Sequence, residues 1–104
     1  MDHKYIYNLL KQLDIPVAYG HFESNKNVMP PFLVYREISP DTFKADGITY
    51  YRPFEFELEL VTSIKDVALE RRIEDLLTNN SIPYDIDSEI WDETERIYHN
   101  FYEI

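Results

Sequence analysis

The sequence predicts an α+β domain, an antiparallel sheet of four to five strands with two helices packed on one face. Three observations carry that expectation. Two stretches have helical apolar periodicity, and "FEFELELVT" alternates strictly between apolar and acidic residues. The third is a repeated piece of punctuation, "LLKQLDIP" at 9–16 and "LLTNNSIP" at 76–83. The residue before a proline is pushed out of the helical region, so each Ile-Pro marks a helix that stops and passes directly into extended chain.

The first helix is expected over "HKYIYNLLKQLD". Ile6, Leu9, Leu10 and Leu13 form one apolar stripe, and Asp2 stands at the N-cap position. Pro16 then opens an extended segment, Val17 to Phe22, and the polar stretch 23–31 with its two closing prolines reads as a mobile loop. "PFLVYREI" reads as a strand with Phe32, Val34 and Ile38 on one face and Leu33, Tyr35 and Glu37 on the other. Asp46-Gly47 is a two-residue hairpin signal, and Pro53 belongs at a strand edge or bulge.

The period of two that follows puts Phe54, Phe56, Leu58 and Leu60 on a core face, with Glu55, Glu57 and Glu59 opposite. "KDVALERRIEDLLTNN" is the second helix. Asp66 is its cap, Leu69, Ile73, Leu76 and Leu77 are its buried stripe, Glu70 and Glu74 lie outside, and Asn79-Asn80 form a left-handed close. Two strands end the chain. In the first, Tyr84, Ile86 and Ile90 are expected inside and Asp85, Asp87 and Glu89 in solvent; the second is "ETERIYHNFYEI".

A chain of 104 residues buries roughly two thirds of its unfolded surface, enough for one core, so residues 1–104 are read as a single domain. Hydrophobic residues at 44% argue for folding despite a net charge of -10. Twenty Asp+Glu against ten Lys+Arg leave little to replace counterions on a phosphate backbone, so neither direct nucleic-acid binding nor an anionic membrane surface is expected. No run reaches the ~20 apolar residues of a membrane span, and the N-terminus has no signal-peptide pattern. The absence of Cys suits an intracellular product.

Motifs for chemistry are lacking. His3, His21 and His99 have no metal-ligand spacing, and two glycines cannot build a phosphate-cradling loop. "DIDSEIWDETE" places Asp85, Asp87 and Glu89 like a calcium loop. Its sixth position, however, is Ile90 instead of Gly, and its twelfth is Arg96 instead of a bidentate Glu. No catalytic, cofactor-binding or metal residue is therefore assigned, no cofactor is expected, and the chain is not read as an enzyme.

The aromatic load is the unusual feature. Tyr19, Phe22, Tyr35, Tyr50, Tyr51, Trp91, Tyr98, Phe101 and Tyr102 exceed what one face of a small sheet buries. In the last strand Ile97 and Phe101 lie opposite Tyr98, Tyr102 and Ile104, so both faces are covered while helices are available for one. That pattern points to protein–protein contact through the second face.

"IPVAYGHF", "PPFLVYRE", "ADGITYY", "IPYD" and the ending "SEIWDETERIYHNFYE" resemble the small head–tail joining and tail-completion proteins, minor structural proteins of long-tailed phages and prophages of Gram-positive bacteria. The resemblance covers nearly the whole chain. It implies an α+β subunit that closes into a ring, a hexamer, at the head-proximal end of the tail tube, capping the tube or joining it to the connector. The implied partners are sister copies, tail-tube proteins and head-connector proteins; the implied location is the virion, and the host cytoplasm during assembly. No catalytic residues come with the family.

An acidic subunit suits a ring through which DNA must pass unheld, and ring closure needs two different patches on each subunit. The expected interface is the loop His21–Pro31 with His21, Phe22 and Met29, the hairpin at Asp46 and Gly47, and the aromatics Trp91, Tyr98 and Tyr102. The alternative is an acidic DNA mimic that inhibits a host DNA-processing enzyme; it requires carboxylates spaced like phosphates along one face.

Overall fold

A computed structural model describes residues 2–23, 27–38, 44–45, 48–49 and 55–104. Helix α1 spans His3–Leu10 and tightens into a 3-10 turn over Lys11–Leu13. Then come β1 (Val17–Tyr19), β2 (Phe32–Ile38), the short β3 (Lys44–Ala45) and β4 (Ile48–Thr49), β5 (Glu55–Thr62), α2 (Val67–Asn79), β6 (Asp85–Asp92) and β7 (Ile97–Glu103). Five strands form one sheet in the order β1-β2-β5-β7-β6, and β3 pairs with β4 separately, Ala45 opposite Ile48. The expected hairpin residues Asp46 and Gly47 lie outside the described residues, as do Tyr50, Tyr51, Pro53 and Phe54.

The α+β class and the two-helix layer are as expected, with one difference in the sheet. β1 runs parallel to β2, Val17 beside Leu33 and Tyr19 beside Tyr35, so the sheet is mixed. A parallel neighbour needs a crossover of about a dozen residues, and the stretch 20–31 supplies it. Every other pairing in the sheet is antiparallel.

One core lies between the helices and one sheet face. Ile6, Leu9, Leu10 and Leu13 come from the first helical segment and Leu69, Ile73 and Leu77 from α2. They pack on Leu33, Tyr35, Phe56, Leu58, Leu60 and Tyr102 of the sheet. Each helix starts on an aspartate cap. The Asp2 carboxylate accepts from Tyr5 N–H at 2.8 Å, and that of Asp66 from Leu69 N–H at 3.0 Å, occupying amides that otherwise lack a helical partner.

The repeated Leu-Leu…Ile-Pro junction now has a structural basis. The residue before Ile-Pro is left-handed in both copies, Asp14 at φ 61° and Ser81 at φ 58°. At the second copy Ile82 N–H donates to Leu77 C=O at 2.9 Å and Ser81 N–H to Thr78 C=O at 3.0 Å, the paired bonds of a Schellman stop. Ile82 is thereby turned back into the core against Leu77. The left-handed residue is Ser81, not Asn79-Asn80. Asn80 instead uses its side-chain amide to donate to Leu76 C=O at 2.8 Å. A left-handed L-residue costs roughly 1–2 kcal/mol, and the extra unfolded entropy of Gly returns roughly 0.5–1. Ser81→Gly is therefore expected to stabilise the fold by about 0.5–1 kcal/mol, read as a higher denaturant midpoint at constant slope.

Two expectations on α2 and β6 are corrected. Glu70 and Glu74 are each 8% exposed, because the rim of the α2 stripe meets polar partners. Lys65 Nζ lies 2.9 Å from Glu70 Oε1. Glu74 accepts from Arg71 at 3.0 Å, Tyr102 O–H at 3.2 Å and Tyr84 O–H at 3.4 Å. On β6, Ile86 and Ile90 are 64% and 51% exposed. A bulge between Ile86 and Ser88 inserts Asp87 as an unpaired residue and reverses the alternation. Ile86 therefore sits opposite Tyr102 on the helix face, while Ile90 sits opposite His99 on the other.

Candidate functional site

The sheet face away from the helices is built by register. Phe32, Val61, His99 and Ile90 form one row across β2, β5, β7 and β6. Val34, Glu59 and Phe101 form the next row, and Arg36, Glu57 and Glu103 a third. Val34 and Val61 are 5% and 2% exposed yet lie outside the main core, so this face has cover of its own. The crossover after β1 provides part of it. Phe22 stacks edge-on against Phe32 at 5.2 Å between centroids.

Two hollows on this face, among the described residues, concern the site. One, of about 390 Å³, lies between His21, Phe22 and Val28 of the crossover and the sheet residues Val34 and Val61. The other, of about 500 Å³, lies against β6 and is bounded by Ile90, Trp91, Asp92, Glu93 and Phe101. Glu59 and His99 line both and so form the divide between them.

That divide is a charge array. Arg36 donates from Nη1 to Glu57 Oε1 at 2.6 Å and from Nη2 to Glu59 Oε1 at 2.9 Å. His99 Nδ1 lies 2.5 Å from Glu59 Oε2. Burial works against the Arg36 charge, but the hydrogen bonds to Glu59 and Glu57 outweigh it and hold the guanidinium above its ordinary value. Glu57 and Glu59 stand two positions apart on one strand, about 6.8 Å from each other. Arg36 bridges both.

The expected interface residues divide sharply. His21 is exposed and Phe22 half-buried, and both line the crossover hollow. Met29, on the same segment, is 76% exposed. Trp91 is 39% exposed and lines the second hollow. Its ring lies 4.6 Å from that of its cross-strand partner, the half-buried Tyr98. Asp46 and Gly47 lie outside the described residues. Tyr102 is corrected: at 2% exposed it belongs to the core, because its parity on β7 aims it at α2, where its hydroxyl meets Glu74. Tyr35, also expected among the surplus aromatics, is 5% exposed.

Tyr102 leads to a test. Burial first, then the charges of Glu74 and Glu70, push its phenol well above the usual tyrosine range. Burial also raises Tyr35 and Tyr84. The unfolded chain releases these protons near pH ~10 while the folded chain retains them. Stability that is fully present below that pH is therefore lost as pH rises toward the folded values. Tyr102→Phe is expected to flatten this alkaline loss and to remove one late step from the tyrosinate absorbance titration. Its cost at neutral pH is about 1–3 kcal/mol, for one hydrogen bond to a carboxylate.

Sequence reasoning missed Arg36, Glu59 and His99 as a group. The only signal available was that a lone Arg in "FLVYREI" shares parity with Phe32 and Val34. Among the described residues no three His, Asp or Glu side chains gather as a metal site requires, and no helix is long and apolar enough to cross a membrane. No protein-family model and no curated protein matches the chain.

Proposed function

We propose that the chain is a phage virion assembly protein of the tail-completion or head–tail joining type, a ring-forming subunit at the head-proximal end of the tail tube. The observation that carries this reading is a set of exposed apolar side chains on an acidic subunit. Tyr19 (48% exposed) ends β1, and Met29 (76%) lies three residues before β2. Ile64 (75%) and Val67 (48%) stand at the entry to α2, just beyond Thr62, which faces Tyr98 across β5 and β7. Exposed apolar groups are the material of a contact with a partner, and a heterologous, ring-closing contact would draw two unlike sets of them from each subunit. The net charge of -10 leaves passing DNA unheld. The motif resemblance supplies the virion context.

The test uses tail tubes assembled from the phage's own tube protein. Added chain is expected to appear by electron microscopy as a ring at one tip. Met29→Asp and Ile64→Asp, both at exposed positions, are expected to abolish the ring while leaving the circular dichroism spectrum unchanged. Deleting the gene should yield tails that fail to join heads. Normal, infectious particles from the deletion strain would overturn the reading.

A further inference from the structure

β6 ends the sheet, and its outer edge meets no strand among the described residues. It is eight residues long, against three for β1 at the opposite edge. Exposed edges are usually kept short, charged or bulged so that they do not recruit foreign strands. The bulge at Asp87 does guard the first part of β6. Beyond it, Ser88–Asp92 pairs regularly with β7, and the run carries Ile90 (51% exposed) and Trp91 (39%). Exposed aliphatic and indole groups are what a guarded edge lacks.

The charge around this run has one sign. Asp85, Asp87, Glu89, Asp92, Glu93 and Glu95 face a single basic residue, Arg96, between positions 85 and 96. Arg96 shows what the surface attracts. Its guanidinium lies 5.8 Å from the centroid of the Trp91 ring and 3.5 Å from Glu93 Oε1, although its side chain is 73% exposed. Lys65 likewise reaches across to Glu89, at 2.5 Å. The adjoining hollow of about 500 Å³ pairs an apolar lining of Ile90, Trp91 and Phe101 with the carboxylates Asp92 and Glu93. An apolar stem with a cationic head is the side-chain type that satisfies both.

We infer that the Ser88–Asp92 edge of β6 is a docking site for an extended, basic segment of another protein, which adds to the sheet as a sixth strand. Main-chain hydrogen bonds supply the pairing. A Lys or Arg of the segment lays its stem across Ile90 and Phe101 and its charge at Glu93. A second copy of this chain is a poor occupant, since the acidic edge would then meet an acidic subunit. The inference goes beyond the virion reading and needs only the strand and its surroundings.

The experiment uses the full chain and three short fluorescent peptides. One alternates Lys and Val; a second has the same sequence with every other amide N-methylated; a third alternates Glu and Val. The Lys-Val peptide alone is expected to bind, to weaken with added salt, and to shift the amide resonances of Ser88–Asp92 before those of the crossover. Asp87→Lys with Glu93→Lys, both at exposed positions, should weaken binding by about tenfold. Equal binding of the N-methylated peptide would overturn strand addition, and binding of the Glu-Val peptide would overturn the charge argument. Failure of the Lys-Val peptide, or chain self-association through the β6 edge in sedimentation, would overturn the site itself. None of these results depends on whether the chain forms rings on tail tubes.

Discussion

Replacing Phe56 by Ala is expected to remove about 3–5 kcal/mol of stability, a large share of the 5–15 kcal/mol typical of a domain. The ring is fully buried and joins parts of the chain far apart in sequence. It meets the His3 ring edge-on at 5.1 Å, at the start of α1, and the Tyr35 ring on β2 at 6.2 Å. Its backbone exchanges two hydrogen bonds with Ile104, Phe56 N–H to Ile104 C=O at 3.2 Å and Ile104 N–H to Phe56 C=O at 2.9 Å. The neighbours cannot close over the gap easily, since His3 is also fixed to Glu37 at 2.9 Å and the strands are held by their ladders. The check is equilibrium denaturation, with a lowered midpoint and an unchanged slope. A loss below about 1 kcal/mol would mean that α1 does not dock on this end of β5.

Phe56 is also a case where the sequence was fully legible. Its place on the core face followed from the alternation of "FEFELELVT", and the caps Asp2 and Asp66 followed from residue type and position. These are local features, set within a few residues of chain. The misreadings share a different character. The parallel β1 depends on the path of the crossover, which composition does not encode. The reversal of faces along β6 depends on a single bulged residue, and a polar run such as "DIDSE" gives no apolar pattern to reveal it. Glu70 and Glu74 read as solvent-facing because carboxylates usually are. They are buried because Lys65, Tyr84 and Tyr102 converge on them from outside α2, joined by Arg71 one turn away on the helix. Tyr102 was placed on the surface by counting aromatics, a count that ignored how much room α2 leaves above β7.

The same limit governs the candidate site. Trp91 and Phe22 were visible as aromatics in excess; Phe22 lines a hollow on the second face, while Trp91 borders the other hollow from a register position shared with Tyr98 on the helix side. The array that separates those hollows was invisible, because Arg36, Glu59 and His99 lie on three strands and meet only through register. A one-residue slip in either pairing would carry its members to opposite faces.

Arg36→Met is therefore the substitution that probes that register and the second face together. It keeps the stem that covers the sheet and removes only the charge. Glu57 and Glu59, with side chains 23% and 15% exposed, then lose the guanidinium that bridges them. Each charge-assisted hydrogen bond is worth about 1.5–3 kcal/mol. Partial exposure screens both, so the expected loss is about 2–3 kcal/mol for the pair. Adding Glu57→Gln to Arg36→Met should recover part of it, since one of the two uncompensated charges is gone; the double-mutant cycle gives the coupling. A simple loss of packing would show no such recovery. The variant should also disturb the His99 ring resonances, because Glu59 would then answer to His99 alone. If Arg36→Met is silent in both stability and His99 resonances, the rows joining β2, β5 and β7 are out of register, and the hollow beside β6 is not where the peptide experiment places it.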